Sequence, residues 1–170
     1  MGNVVLKNPN EPEQPIGGVY RWFFVRTRED GTSQEETFYV GRAGPRRHET
    51  VARPSTLGRG ISELRRASGL SSDKGRSLDT DFIVGTMIMY LRDEGFDCVW
   101  EHVCNDPGQE KNFCNDYRPI LQDENGKIRP EFKRHKGNVS PWNGKESGHR
   151  TKAKDELYGV FKSQPGPAGG

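Results

Sequence analysis

Apolar residues are scarce in this chain. Only 31% of its 170 residues are hydrophobic, and the mean hydropathy is −0.93. No apolar run reaches the length of a membrane-spanning helix, so a helical membrane protein is not expected. Met1 to Pro15 lacks the charged-then-apolar layout of a secretory signal, and Leu6 stands where a myristoylation start needs Ser or Thr. The three cysteines are odd in number and unpaired in spacing. That argues against a disulfide framework and for a reducing compartment, with the cytoplasm as the default. No internal repeat is found. What is left is a chain of one-domain size with a modest core. Its 21 glycines and 11 prolines gather at the ends and in a few connections, as long functional loops require.

The net charge of +2 hides an uneven distribution. From Arg42 to Arg66 seven arginines face two acids, Glu49 and Glu63, and from Lys127 to Lys154 nine basic residues face two acids, Glu131 and Glu146. The segment between, Ala67 to Gly126, carries five basic and twelve acidic residues. A solvated surface that happens to cluster would look the same. If the two basic stretches meet in space, they form a cleft able to neutralise phosphates.

In chain order, the polar, proline-bearing residues 1–15 read as an arm. Residues 16–163 read as one domain, and 164–170 as a flexible tail. Gly17 to Val25 and Phe38 to Gly44 are β-prone runs joined by a polar segment with an Asp30-Gly31 turn signal, which gives an antiparallel hairpin. A helix follows, capped by Ser55 or Thr56, with Ile61, Leu64 and Ala67 in helical spacing and Gly69 at its end. A second helix starts at Asp79 or Thr80, presents a broad face from Phe82 to Leu91, and closes at Gly95. Phe96 to Cys104 alternates as a strand. Asn105-Asp106-Pro107 signals another helix start, with Phe113, Tyr117 and Leu121 in a stripe that Pro119 kinks or shortens. Lys127 to Arg150 reads mainly as loop, and Thr151 caps a last helix. The fold class expected is a small α+β layer of three antiparallel strands with helices packed on them.

The two β-prone runs carry Gly18-Val19-Tyr20 and Tyr39-Val40-Gly41. A pair of core tyrosines on a hairpin would satisfy the same pattern. The paired tripeptides, each with a glycine, resemble the signature of the GIY-YIG nuclease family with Ile changed to Val in both, and the resemblance spans roughly residues 17 to 145. It implies a three-stranded antiparallel sheet flanked by helices. It also implies a tyrosine near the attacking water, an arginine at the phosphate, and a helix glutamate binding one divalent metal, Mg²⁺ or Mn²⁺.

On that resemblance Tyr20 is the candidate base with Tyr39 beside it, their phenols usable only if a neighbouring Arg or a metal-bound water lowers their pKa. Arg42 follows the second tripeptide and is placed to bind phosphate or bias a tyrosine. The family arginine falls nearest to Arg59, with Arg65 next. Glu63 stands four residues after Arg59, where the family more often has His or Tyr, and Gly60 intrudes. Glu110, early in the helix after the third strand, matches the metal-binding glutamate, although an acid at a helix start is favourable on its own. Asn143, within Ser140-Pro141-Trp142-Asn143-Gly144, matches the family's closing Pro-x-Asn segment, although Asn before Gly is also a common turn. Cys98, His102, Cys104 and Cys114 lack a Cys-x-x-Cys spacing and read as buried cysteines beside Trp100 rather than a zinc site.

The function so implied is a metal-dependent endonuclease acting on double-stranded DNA. The Pro-Trp-Asn run resembles the Type II restriction branch, for which a homodimer mirrors a palindromic site. Arg46, Arg47, Arg53, Arg65, Arg66, Lys133, Arg134, Lys136, Lys145, His149 and Arg150 are the candidate DNA contacts. The alternatives are a structure-specific or phage-type nuclease, and an idle nucleic-acid-binding domain of the same fold.

Overall fold

Both β-prone runs form long strands, and their pairing sets the frame for everything else. The computed structural model describes residues 1–8, 17–44, 55–68, 78–136 and 147–163, and of 66–68, 78–79, 134–136 and 147–153 the backbone alone. The strands are β1 (Val4–Lys7), β2 (Gly18–Thr27), β3 (Ser33–Ala43) and β4 (Cys98–Cys104), and the helices are α1 (Thr56–Ser68), α2 (Leu78–Asp93), α3 (Glu110–Tyr117) and α4 (Ser147–Ser163). The fold is α+β, with a mixed sheet in the order β1-β4-β2-β3. β2 pairs antiparallel with both β3 and β4, as expected. The expected count of three strands is corrected to four. Val4–Lys7, read as part of an arm, lies parallel to β4 at the sheet edge. It was hard to see because its outer side chains, Val5 and Leu6, stay about 40% exposed and so show no burial pattern.

Local signals explain most boundaries. The β2–β3 turn closes through Arg28 and Thr32 around Gly31, which takes φ +86°. Ser55 caps α1, its hydroxyl accepting from the Gly58 amide at 3.0 Å. α2 ends in a Schellman closure, Phe96 N–H to Leu91 O at 2.9 Å and Gly95 N–H to Arg92 O at 3.0 Å. Asp106 accepts from the Gly108 amide and starts a 3₁₀ turn, Pro107–Gln109, that leads into α3. α3 stops at Tyr117, because Arg118 precedes a proline and adopts a left-handed conformation. Leu121, expected on the same helical stripe, is therefore outside it. The stretch read as loop after Lys127 contains a 3₁₀ segment, Pro130–Lys136, and α4 begins at Ser147 rather than Thr151.

The core lies on one face of the sheet. Tyr20, Trp22, Phe24, Phe38 and Trp100 pack there against Phe82, Ile83, Met87, Ile88 and Leu91 of α2 and Leu157 and Phe161 of α4. The other face carries a smaller cluster of Val19, Val40 and Cys114. A charge ladder crosses all four strands: Lys7 pairs with Glu101, Glu101 with Arg21, and Arg21 with Glu35, each at 2.8 Å. Arg21 also donates to Thr37 and lies over the rings of Phe23 and Tyr117. No helix among the described residues is long and apolar enough to cross a membrane.

Candidate active site

Both glycines of the paired tripeptides are required by contact. A Cβ on Gly18, at φ +144°, would come within 1.9 Å of the Cys104 carbonyl oxygen on β4. Gly41 lies opposite Tyr20 in the strand register, and the Tyr20 ring covers it. A register shift next to Trp22 leaves Phe38 as an extra residue on β3, since Trp22 pairs with Tyr39 and Phe23 with Thr37. This bulge puts both Phe38 and Tyr39 in the core while Thr37 and Val40 face the other way. Gln122 steadies the distorted strand by bonding both the amide and the carbonyl of Val40, at 2.7 and 2.8 Å. The result is that Tyr20 and Tyr39 share a face, their ring centroids 6.1 Å apart.

α1 lies close over this face because Gly60 leaves room for the Trp100 indole, which a Cβ would approach within 2.7 Å. Thr56 bonds His102 Nδ1 at 2.8 Å, tying the start of α1 to β4. Four-residue spacing then sets Arg59 and Glu63 on one side of the helix, toward the tyrosines. The Tyr20 hydroxyl donates to the Glu63 carboxylate, with both oxygens at 2.9 Å, and Trp22 Nε1 donates to Glu63 Oε1 at 3.0 Å. Arg59 pairs with Asp81 of α2 at 2.9 Å; Asp81 is fully buried, whereas 23% of the Arg59 side chain stays exposed. Gly60, one residue on, therefore has a packing role, and the arginine that reaches the tyrosines is Arg59. Arg65 is exposed further along α1.

The electrostatics follow from enclosure. Burial, then the charge of Asp81, pushes the Glu63 carboxyl up to about 8, even though Arg59, Trp22 and Tyr20 act to lower it. Burial and the negative charge of Glu63 raise the Tyr20 phenol well above its ordinary value. Tyr39 is raised in the same way by burial, Glu63 and Glu110. The lowered pKa that a phenol needs to act as a base by itself is thus not met within the chain, because these rings sit among carboxylates in a dry environment. Burial works against the charge on Arg59, but Tyr20, Asp81 and Glu63 outweigh it and hold the guanidinium protonated.

The remaining sequence-derived residues are placed less centrally. Glu110 is half-buried in the first turn of α3, beside the Gly126 turn, where a Cβ would be 3.7 Å from its Oε1. Its charge reaches Tyr39. Arg42 pairs with Val19, and strand alternation puts it on the face opposite the two phenols. Lys133 is exposed on the 3₁₀ segment, which also holds the backbone of Arg134 and Lys136; His149 and Arg150 lie in the first turn of α4, and Arg66 near the end of α1. Asn143, Arg46, Arg47, Arg53 and Lys145 lie outside the described residues.

Sequence reasoning missed Asp81 and gave Glu63 no role. Asp81 has a visible signal, an acid placed directly before the apolar Phe82-Ile83-Val84 run of a buried helix. Glu63 has one too, its spacing of four from Arg59. Comparison of the chain with protein-family models, with curated proteins and with solved structures found no match.

Proposed function

We propose that the chain is a metal-dependent endonuclease of the GIY-YIG type that hydrolyses DNA phosphodiesters, of the Type II restriction kind. One observation carries the reading: two tyrosines from paired tripeptides converge with Arg59 on a single face of a β2–β3 hairpin. Phosphodiester hydrolysis needs a group to take a proton from water and positive charge where negative charge develops on phosphorus. Tyr20 and Tyr39 supply hydroxyls for the first task. Arg59, fixed by Asp81 and partly exposed, supplies the second; its planar fork suits phosphate oxygens.

Glu110 is the residue suited to hold Mg²⁺ or Mn²⁺. Among the described residues no three His, Cys, Asp or Glu side chains gather as a ligand cage. A single hard carboxylate matches the way Mg²⁺ is commonly held, by one or two carboxylates together with water and substrate phosphate. Such an ion adds Lewis-acid stabilisation of the phosphoryl oxygens. Glu63 is unsuited to that task, since its oxygens are engaged by Tyr20 and Trp22.

Double-stranded DNA is the proposed partner, held by the basic segments around Arg46–Arg53 and Lys133–Arg150, with the protein acting as a homodimer. Enclosure of Tyr20 favours a second reading, a nucleic-acid-binding domain that keeps the fold without cleaving. Glu110→Ala separates them. The nuclease reading expects the wild type to nick plasmid DNA in Mg²⁺, and the variant to bind DNA normally and leave it intact. Equal cleavage by the variant removes Glu110 from the mechanism, and no cleavage by the wild type supports the second reading.

A further inference from the structure

Glu63 is a carboxylate with no surface exposure that contacts neither solvent nor a lysine or arginine at ion-pair distance among the described residues. Burying such a group is costly unless its bonds are well satisfied, and the three contacts it makes are from Tyr20 and Trp22. Both the indole and the phenol donate to it, but only the phenol oxygen can also accept a proton and so pass one on. The groups facing it are Tyr20 and Trp22 from β2, Tyr39 from β3, Arg59 from its own helix, and Asp81 from α2; from β4, the Trp100 indole stacks on Tyr20.

We propose that Glu63 is the proton acceptor behind Tyr20, so that the two side chains act as a relay in activating the attacking water. The inference rests on the nuclease reading above. It answers a difficulty in that reading, because a phenol held neutral by its surroundings is a poor base alone. A hydroxyl that passes its own proton inward while taking one from water never has to exist as a phenolate. The Tyr20 hydroxyl has no exposure to solvent. Glu63 is therefore the acceptor available to it. Loading the relay requires that the scissile phosphate and its water part the side chains above Tyr20, so substrate binding precedes proton transfer.

The water oxygen forms a bond to phosphorus as one water proton moves to Tyr20 Oη, and the original phenolic proton moves to a Glu63 oxygen. The bond from phosphorus to the leaving oxygen breaks, and that oxygen takes a proton from solvent. As product leaves, and before the side chains close over Tyr20 again, Glu63 returns its proton through the phenol to solvent, restoring both groups. Because Glu63 touches Tyr20 and not the reacting atoms, it is a positioning residue with a proton-holding role.

The test is the pH dependence of plasmid cleavage in Mg²⁺ by the wild type and Glu63→Gln. The amide preserves the shape and can accept from Tyr20, but it cannot take a proton. The expected result is a wild-type rate that climbs with pH as Glu63 ionises, toward about 8, and a variant slower by about 100-fold with that limb gone. An unchanged rate and profile in the folded variant overturns the relay and leaves the nuclease reading standing. A wild type with no cleavage at all overturns the nuclease reading and the relay with it. Should Glu63→Gln fail to fold, the proton inventory of wild-type plasmid cleavage in mixed H2O and D2O decides. The relay expects two protons in flight and a curved inventory, and a linear, one-proton inventory overturns it.

Discussion

The Tyr20 ring lies directly over Gly41: a Cβ at position 41 would come within 2.5 Å of its Cζ and Oη. The two halves of the paired tripeptides are therefore one packing unit, in which the glycine of the second strand makes room for the phenol of the first. Gly41→Ala must displace that ring or spread the strands. Overpacking of this kind costs about 1–3 kcal/mol. The measurable outcome is a lower denaturation midpoint, with cleavage reduced by more than stability accounts for, since the ring moves off Glu63. An alanine variant of wild-type stability and activity would show that the hairpin relaxes freely here.

Glu63 also makes stability depend on pH. Its carboxyl holds a proton more tightly in the folded chain, with the value raised from 4.5 to about 8. The resulting stabilisation is fully present below the unfolded value and is lost as pH rises through the folded one. Denaturant unfolding should therefore show stability falling between about pH 4.5 and pH 8, and Glu63→Gln should flatten that slope. A variant whose stability curve parallels the wild type contradicts the burial argument.

Arginine identity at the site is tested by Arg59→Ala against Arg65→Ala. Arg59 sits on the side of α1 that faces the tyrosines and is anchored by Asp81, whereas Arg65 is exposed. Loss of a preorganised positive group at the phosphate costs about 100-fold or more in rate. Arg59→Ala should show that loss, and Arg65→Ala should at most weaken DNA binding in a salt-dependent way. The reverse ranking would move the phosphate contact to Arg65.

The ladder on the opposite face predicts a purely structural effect. Arg21→Ala removes the guanidinium shared by Glu35 and Glu101 and leaves the partly buried Glu101 with Lys7 alone. Truncating one partner of a buried pair costs about 3–5 kcal/mol, and less here because Glu35 is half exposed. Thermal unfolding should show a marked loss. The same loss should be unaffected by Mg²⁺ or DNA if the ladder plays no part in catalysis.

The hairpin, the helix caps at Ser55 and Asp106 and the Gly95 closure were all legible, because each rests on local chemistry that neighbouring residues carry. The bulge at Phe38 was not. It depends on Gln122, far along the chain, clamping Val40, a relation that no period in the strand reveals. β1 escaped notice because a four-residue edge strand pairs through its backbone and needs no alternation. The tyrosines, Arg59 and Glu110 are legible as a motif pattern, but the direction of the phenol pKa is not, because it is set by burial and by carboxylates distant in sequence. Motif spacing names the side chains and leaves out Asp81 and Glu63, whose burial sets the electrostatics. Position alone also could not show that Arg42 turns to the opposite face; alternation around the bulge decides that.

Digestion of long phage DNA by the purified protein, in Mg²⁺ with and without EDTA, tests the central claim most directly. Discrete bands are expected that vanish with EDTA and whose sequenced ends share a short common site. DNA left intact in Mg²⁺ and in Mn²⁺, with binding retained, contradicts that claim and leaves a binding domain built on the same pair of tyrosines.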